Sequence, residues 1–266
     1  MTIDLKDIKA KEETLDPLYK RMEADANLLH LADYVLRDLQ GNRVSNVINV
    51  TLNKPAVFAA NVVSALDFTK QQVTVTSDDK KFDGYKVEQF LDAASSTANL
   101  RLMLKHQPLL NQFTNAQSCF RGRAVRKILW RLDKANKVIT EISNWDAANV
   151  SYSEGGDGLE WGCNKTTRSQ EEVIAEYDGM TGFDKSKVPE GKELVIRDVW
   201  DKEVNKIYVA DSLIYKQANP YGFVPIVFSV VPLGWGDMLL DANRVRYEGE
   251  SIFFMIRHLV PEMNRL

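Results

Sequence analysis

Apolar residues recur three and four positions apart through most of the first 120 residues. Side chains at this spacing line one face of a helix, so the pattern predicts a mainly helical N-terminal part. Gly41-Asn42 would end the first helix, and Pro55 suits the first turn of the second. The predicted helices cover Leu15–Gln40, Pro55–Phe68, Tyr85–Leu104 and Pro108–Phe120.

Short runs rich in β-branched and aromatic residues predict strands, one before the third helix and the others after Gly122. Pairs of such runs joined by a short polar turn predict hairpins. Ser169 with Glu172 three positions later forms a capping-box signature, which predicts a short helix over Arg168–Tyr177. The predicted strands are Gln72–Thr76, Ala124–Leu132, Val138–Ile142, Val150–Tyr152, Leu159–Cys163, Lys192–Trp200, Lys206–Ala210, Ser212–Lys216 and Ile226–Pro232.

A run of helices followed by a run of strands indicates an α+β fold, with N-terminal helices packed on antiparallel β-hairpins. We expect one large domain over residues 1–248, with a helical part over 1–120 and a β-hairpin part over 121–248. Gly249-Glu250-Ser251 opens a helix-like stretch over residues 249–266 that stops within an apolar pattern. We therefore expect the chain to be a piece of a longer protein.

The overall charge is close to balanced, with 34 basic and 37 acidic residues and a net charge of −3. This balance argues against the global basic field of a free-standing DNA-binding protein. The N-terminus lacks the apolar core of a signal peptide, and no apolar stretch reaches the roughly 18 residues of a membrane helix. We expect a protein made in the cytoplasm, with no membrane partner.

The sequence signals neither a metal site nor an enzyme. Cys119 and Cys163 have no CxxC spacing, so reduced thiols are favoured, with a disulfide left open as the alternative. The glycine-rich Gly155–Gly158 lacks a downstream Lys-Ser or Lys-Thr, which excludes a P-loop and favours a hairpin tip. Neither a catalytic triad nor a carboxylate pair is signalled. We expect no catalytic activity and no cofactor.

Basic residues cluster where the helical part meets the strands. Alternate residues of a strand point to opposite faces, which here favours a mostly solvated face over a buried face. Arg121, Arg123 and Arg126 are therefore candidates for a subunit interface in which they pair with acidic residues. The alternative is nucleic-acid binding through the whole basic strand Arg121–Arg131, with Trp130 as an interleaved aromatic.

Several segments occur in the order that is found in the portal proteins of tailed phages. A helix is followed by Arg121-Gly122-Arg123 and a strand, and Ile142–Asp146 resembles the family's strand that ends in Trp-Asp. Gly158-Leu159-Glu160-Trp161 followed by a short helix resembles a turn of that family. Asn219–Ile226 is the strongest match, and Gly249–Leu266 resembles the start of a stem helix. Together the matches span most of the chain.

The resemblance implies a portal subunit that consists of the wing and the beginning of the stem. Portal subunits form a homo-oligomeric ring, commonly of twelve, at one capsid vertex of the virion. Double-stranded DNA passes through the ring, which contacts the terminase large subunit, the major capsid protein and tail adaptor proteins. The family's second stem helix, clip and crown have no counterpart in this sequence.

On this hypothesis the apolar side chains of the C-terminal stretch are buried against neighbouring subunits. Another head or tail connector protein is the alternative among structural proteins, and the nucleic-acid-binding protein described above is the alternative from another class. The apolar candidates for the subunit interface are Ile252, Phe253, Ile256 and Leu259.

Overall fold

The computed structural model describes residues 3–69, 73–79, 82–132, 136–178, 180, 183–231 and 248–265. The chain divides into two compact units. The first unit comprises residues 1–17 and 145–227, and the second unit comprises residues 18–144 and 228–266. The predicted α+β class is confirmed, whereas this division differs from the predicted boundaries after residues 120 and 248.

Helices and strands follow the predicted order closely. The described helices are α1 (Leu5–Leu29), α2 (Lys54–Asp67), α3 (Gly84–Leu104), α4 (Leu110–Arg121), α5 (Gln170–Tyr177) and α6 (Leu259–Arg265). The described strands are β1 (Arg123–Leu132), β2 (Val138–Trp145), β3 (Val150–Gly155), β4 (Gly158–Arg168), β5 (Leu194–Asp201), β6 (Val204–Val209), β7 (Ser212–Ala218) and β8 (Ile226–Val230).

The first unit is built on a five-stranded antiparallel sheet in the order β3-β4-β5-β6-β7, so each strand pairs with the next along the chain. Side chains of alternate residues cover opposite faces of this sheet. Val173 of α5 packs in one cluster with Ile196 and Val209 of the sheet. Ile8 of α1 packs in a second cluster with Cys163 and other sheet residues. The predicted hairpins of this region are confirmed.

The capping box predicted for α5 is also confirmed. The Ser169 hydroxyl accepts a hydrogen bond from the backbone N–H of Glu172, and the Glu172 carboxylate accepts one from the backbone N–H of Ser169 at 2.8 Å. Two N–H groups that would lack partners at the start of the helix are satisfied in this way.

An ion-pair network ties α1 to the sheet of the first unit. The Glu12 carboxylate accepts hydrogen bonds from Nε and Nη2 of Arg197 at 2.9 and 3.1 Å, and Lys165 Nζ lies 3.4 Å from it. Burial opposes the negative charge, but the hydrogen bonds from Arg197 outweigh it and hold the pKa of Glu12 below its ordinary 4.5.

We expect Glu12→Gln to lower the free energy of unfolding at neutral pH by about 1.5–3 kcal/mol, the usual range for a hydrogen bond to a charged group. A carboxylate with a lowered pKa stabilises the fold above its unfolded-state pKa, and this stabilisation is lost as the pH falls through the folded-state value. The difference between the two proteins should therefore shrink below pH 4.5 in urea titrations over a range of pH. Glu13→Gln, at the exposed neighbouring position, is the matched control. A pH-independent difference would contradict this account.

The second unit packs α4 against α2 and β1, with the three-stranded sheet β2-β1-β8 completing it. Ala98 and Leu102 of α3 pack on Leu110 of α4 and on Ile142 of β2. Gly122 ends α4 in the left-handed conformation, with φ +71°.

Two predictions between residues 15 and 76 are wrong in part. The first helix begins earlier than predicted and ends at Leu29, because Leu31 takes a positive φ of 52° that ends the helical path. Residues 73–77 form no strand, and the Val75 N–H donates to the Glu88 carboxylate at 2.7 Å instead of to a neighbouring strand. Gln72, the first residue of that predicted strand, lies outside the described residues.

The predicted helix from Gly249 onward is also wrong over its first half. Residues 252–258 form turns, and α6 begins only at Leu259. Pro261 lies in the first turn of α6, where its missing N–H removes no hydrogen bond. None of the described helices combines the length and the apolarity that a membrane crossing requires.

Candidate subunit-contact surface

The backbone of residues 248 and 249 is held by two arginines of the second unit. Arg21 Nη2 donates to the carbonyl oxygens of Glu248 and Gly249, at 3.0 and 2.8 Å. Arg123 Nη2 donates to the Glu248 carbonyl at 2.9 Å. The entry of the chain into its C-terminal segment, residues 248–265, is therefore fixed by side chains of α1 and β1.

Two glycines meet at the same place. Gly122 and Gly249 both have positive φ, +71° and +67°. A Cβ atom built on Gly122 would lie 1.6 Å from the carbonyl oxygen of Gly249, which is far inside van der Waals contact. Glycine at position 122 is thus needed both for its backbone conformation and for the close approach.

Residues next to this junction form a buried charge cluster that consists of Arg21, Asp25, Glu250 and Arg257. The Asp25 carboxylate accepts hydrogen bonds from Nε and Nη2 of Arg257 at 2.6 and 2.9 Å and from the Ser251 hydroxyl at 2.7 Å. Glu250 accepts from Arg257 Nη2 at 2.6 Å, and Arg21 Nη1 lies 3.6 Å from its other oxygen. Both carboxylates have zero solvent exposure.

The pKa values of the two arginines of this cluster are shifted in opposite directions. Burial lowers the pKa of Arg21 to about 10, with Glu250 opposing the shift and the charges of Arg123 and Arg257 adding to it. Burial also acts against the charge of Arg257, but its hydrogen bonds to Asp25 and Glu250 outweigh burial and raise its pKa. Arg257 is therefore the cation on which the two buried carboxylates depend.

The apolar candidates from the sequence are divided between interior and surface. Phe253 is fully buried and stacks on Phe120, with ring centroids 6.2 Å apart. Its side chain therefore packs within its own chain and does not face another molecule. Ile252 and Ile256 are half-buried. Leu259 is 59% exposed and is the apolar candidate most available to another molecule.

The arginine candidates are mostly engaged within the second unit. Arg121 Nη1 donates to the Met22 carbonyl at 2.7 Å, Arg126 donates to the Leu110 carbonyl, and Arg123 is buried. Burial lowers the pKa of Arg126. The predicted alternation of a solvated and a buried face along β1 is wrong, because its first three residues are all buried. Trp130 stacks on Phe90, with centroids 5.1 Å apart.

An apolar groove of about 200 Å³ lies between the start of α2 and the C-terminal segment. The Leu52 N–H donates to Asn264 Oδ1 at 3.0 Å and so ties its two walls together. Lys54 is the charged member of its lining. Phe58, Leu259 and Met263 in the lining are each more than 40% exposed. The apolar lining residues are Leu52, Pro55, Phe58, Ile256, Leu259, Val260 and Met263.

Exposed apolar side chains are concentrated in the second unit. All but four of the exposed large apolar side chains in the described chain belong to it, although it is less than twice as long as the first unit. On α3, Leu100, Met103 and Leu104 are 57–75% exposed, whereas the buried positions include Ala94 and Ala98. Exposed leucine and methionine side chains within one turn of a helix are typical of a surface that another molecule covers. The four exceptions are Met180, Leu213, Phe223 and Val227.

A cleft of about 440 Å³ in the first unit has an acidic lining. The residues described around it include neither histidine nor cysteine, and no group of three or more metal-binding side chains occurs in the described part of the chain. Cys119 and Cys163 are free, buried thiols, and burial raises the pKa of each. The lining of the cleft is Ile3, Asp7, Glu160, Trp161, Asp201, Lys202 and Glu203.

The sequence did not single out the residues of the buried charge cluster. Arg21 and Asp25 stand four positions apart on a helix, a spacing that usually indicates an exposed ion pair. Their burial depends on residues 250–257, which are distant in sequence, so local patterns could not have found it. Comparisons with known protein families and with curated proteins give no match to this chain.

Proposed function

We propose that this chain is a portal subunit of a tailed phage, comprising the wing and the start of the stem. It forms a homo-oligomeric ring, commonly of twelve, at the capsid vertex of the virion. Double-stranded DNA is packaged and ejected through that ring. Its partners are further copies of itself, the terminase large subunit, the major capsid protein and tail adaptors. It performs no chemical step.

The observation that carries the ring-forming part of this proposal is the exposed apolar surface of the second unit. Burying a large aliphatic or aromatic side chain stabilises a complex by about 1.5–3 kcal/mol. Monomeric proteins seldom leave many such side chains exposed together. Exposed apolar side chains of the second unit occur on α2, on α3 and on the C-terminal segment, among them Phe58, Leu100, Met103 and Leu259.

The local structure of the segments that resemble portal proteins supports the assignment to that family within this proposal. Arg121-Gly122-Arg123 stands where α4 passes into β1, and the strand β2 ends at Trp145. Asp146 then accepts a hydrogen bond from the Ala148 N–H and caps a short 3-10 helix. At the strongest match, Asn219 Oδ1 accepts from the Tyr221 N–H at 3.0 Å, and its Nδ2 donates to the Phe223 carbonyl at 2.8 Å.

The engagement of the arginines weighs against the nucleic-acid alternative. A phosphate-binding face needs cationic side chains that are free to reach the backbone of the nucleic acid. Arg121 and Arg126 donate to backbone carbonyls, Arg123 is buried, and Arg131 lies 3.2 Å from Glu141. The basic strand therefore acts mainly within its own unit.

We expect the purified chain to associate in a concentration-dependent manner, with ring-shaped particles visible by negative-stain microscopy. The double substitution Leu100→Asp and Met103→Asp should weaken this association by at least about tenfold, because it places two carboxylates on the apolar face of α3. Multi-angle light scattering and analytical ultracentrifugation measure the effect.

Phe223→Asp is the control, because Phe223 is 57% exposed but lies in the first unit. It should leave association unchanged. A wild-type chain that stays monomeric at every concentration would refute the ring proposal. The chain could instead bind duplex DNA in a salt-dependent manner and lose this binding on Lys127→Glu and Arg131→Glu. That result would favour the nucleic-acid-binding hypothesis over the ring proposal.

A further inference from the structure

The turn over residues 37–43, called here the Leu39 turn, presents a leucine at its tip. The main chains of Arg37 and Arg43 pair across its base, and the Gly41 N–H donates to the Asp38 carbonyl at 3.0 Å. The Asp38 carboxylate accepts hydrogen bonds from the N–H groups of Gln40 and Asn42 at 2.9 and 2.8 Å. Leu39 is 99% exposed.

A leucine in this place is unusual for a surface turn. Turn tips favour Gly, Asn, Asp, Ser and Pro, whose conformations or side chains suit the turn. The Leu39 turn already has these residues where the geometry needs them, with Asp38 bonding the backbone and Gly41 at φ +85°. Backbone hydrogen bonds, that from Asn42 first, also lower the pKa of Asp38, as expected for a well-formed turn. Because the turn is preorganised, binding through Leu39 would cost little conformational entropy.

The apolar groove of the second unit has the matching chemistry. Its walls come from the start of α2 and from the C-terminal segment, and Leu52 and Asn264 hold them together before any partner binds. A single aliphatic side chain suits a groove of about 200 Å³. Leu39 does not fill the groove of its own chain, since it is almost fully exposed.

We infer that Leu39 of one copy inserts into the apolar groove of the next copy. This inference rests on the proposed ring-forming function and names the contact through which neighbouring subunits join. Two different surfaces of one chain that fit each other make a head-to-tail contact, and such contacts generate rings when the rotation closes.

Charges around the two surfaces favour a second copy as the occupant. Exposed Arg37, Asp38 and Arg43 belong to the Leu39 turn, while Lys54 is the charged residue in the lining of the groove. Asp38 adjoins Leu39 in the chain and can therefore face Lys54 when the leucine enters the groove. Complementary charges of this kind fix the register of an interface more than its strength.

Two variants of the 266-residue chain test the contact by complementation. Leu39→Asp removes the inserted side chain but keeps the groove, and Leu259→Asp damages the groove but keeps Leu39. Each alone should associate about 10- to 100-fold more weakly than the wild type. An equimolar mixture should form mixed pairs, because one intact Leu39 still meets one intact groove.

Ile48→Asp is the matched control, since Ile48 is 94% exposed in the same irregular segment. It should retain wild-type association. A bifunctional maleimide offers a second measurement, because both native thiols are buried. The reagent should cross-link chains that carry both Leu39→Cys and Met263→Cys. Chains that carry only one of the two changes should remain unlinked.

The outcomes separate this inference from the proposed function. If the wild type associates and Leu39→Asp associates equally well, the inference is overturned and the ring proposal stands. If Ile48→Asp weakens association as much as Leu39→Asp, or if the mixture does not recover pairs, the inference is likewise overturned. A wild type that remains monomeric overturns both.

Discussion

Replacing Arg257 by leucine should lower the free energy of unfolding of the second unit by about 3–5 kcal/mol. The substitution leaves Asp25 and Glu250 buried without the cation that bonds to both of them. An uncompensated buried charge costs more than the lost attraction alone, because neither carboxylate can turn to water. Native-state hydrogen exchange of the amides of residues 18–29, the part of α1 that belongs to the second unit, gives the measurement, because the two units need not unfold together.

Arg131→Leu serves as the control for this experiment. Arg131 lies 3.2 Å from Glu141, but both side chains are more than one-third exposed. Exposed ion pairs contribute about 0–1 kcal/mol, so this change should have a small effect. If Arg257→Leu and Arg131→Leu lower the free energy of unfolding equally, the buried charge cluster does not anchor the C-terminal segment.

Replacing Gly122 by alanine should destabilise the second unit by more than about 3 kcal/mol. The new Cβ atom would lie 1.6 Å from the Gly249 carbonyl oxygen, and φ at this position is +71°. The chain can relieve the clash only by moving residues 248 and 249 away from Arg21 and Arg123, which would break their hydrogen bonds. Faster proteolysis within residues 248–265 should accompany the loss of stability.

Gly41→Ala separates the two parts of this effect. Gly41 has φ +85°, but no atom lies within 4 Å of the position of its Cβ. Alanine there should cost only the left-handed conformation, about 1–2 kcal/mol. If Gly122→Ala costs no more than Gly41→Ala, the close approach of Gly122 and Gly249 is not needed by the fold.

The substitutions at Arg257 and Gly122 should both affect the proposed ring. The buried charge cluster and the glycine contact both fix the path of the C-terminal segment, which supplies one wall of the apolar groove. Weakening either should therefore also weaken association of the chain. Variants at Leu39 should weaken association while leaving the free energy of unfolding unchanged, because Leu39 is almost fully exposed.

Sequence signals that act within a few residues predict the local structure correctly. Ser169 and Glu172 satisfy the start of α5, and the polar turns between strands define the hairpins of the five-stranded sheet. The α+β class follows from the order of these elements. Such features depend on hydrogen bonds and side-chain spacing along the chain, which neighbouring residues determine by themselves.

Patterns failed where distant residues compete with local preference. The apolar spacing of a helix continues beyond Leu29, but the described chain there bonds to later side chains, as the Tyr34 N–H does to Thr51. The same spacing beyond Gly249 predicted a helix, yet Ser251 and Arg257 turn inward to Asp25.

The class of fold and most helices and strands follow from local patterns in the sequence. Contacts between distant segments place Arg123 and Phe253 in the interior, put Leu259 in an exposed groove and divide the chain into two units. Burial and charge pairing depend on which distant segments meet, and a periodic pattern specifies one face of an element without specifying what covers it.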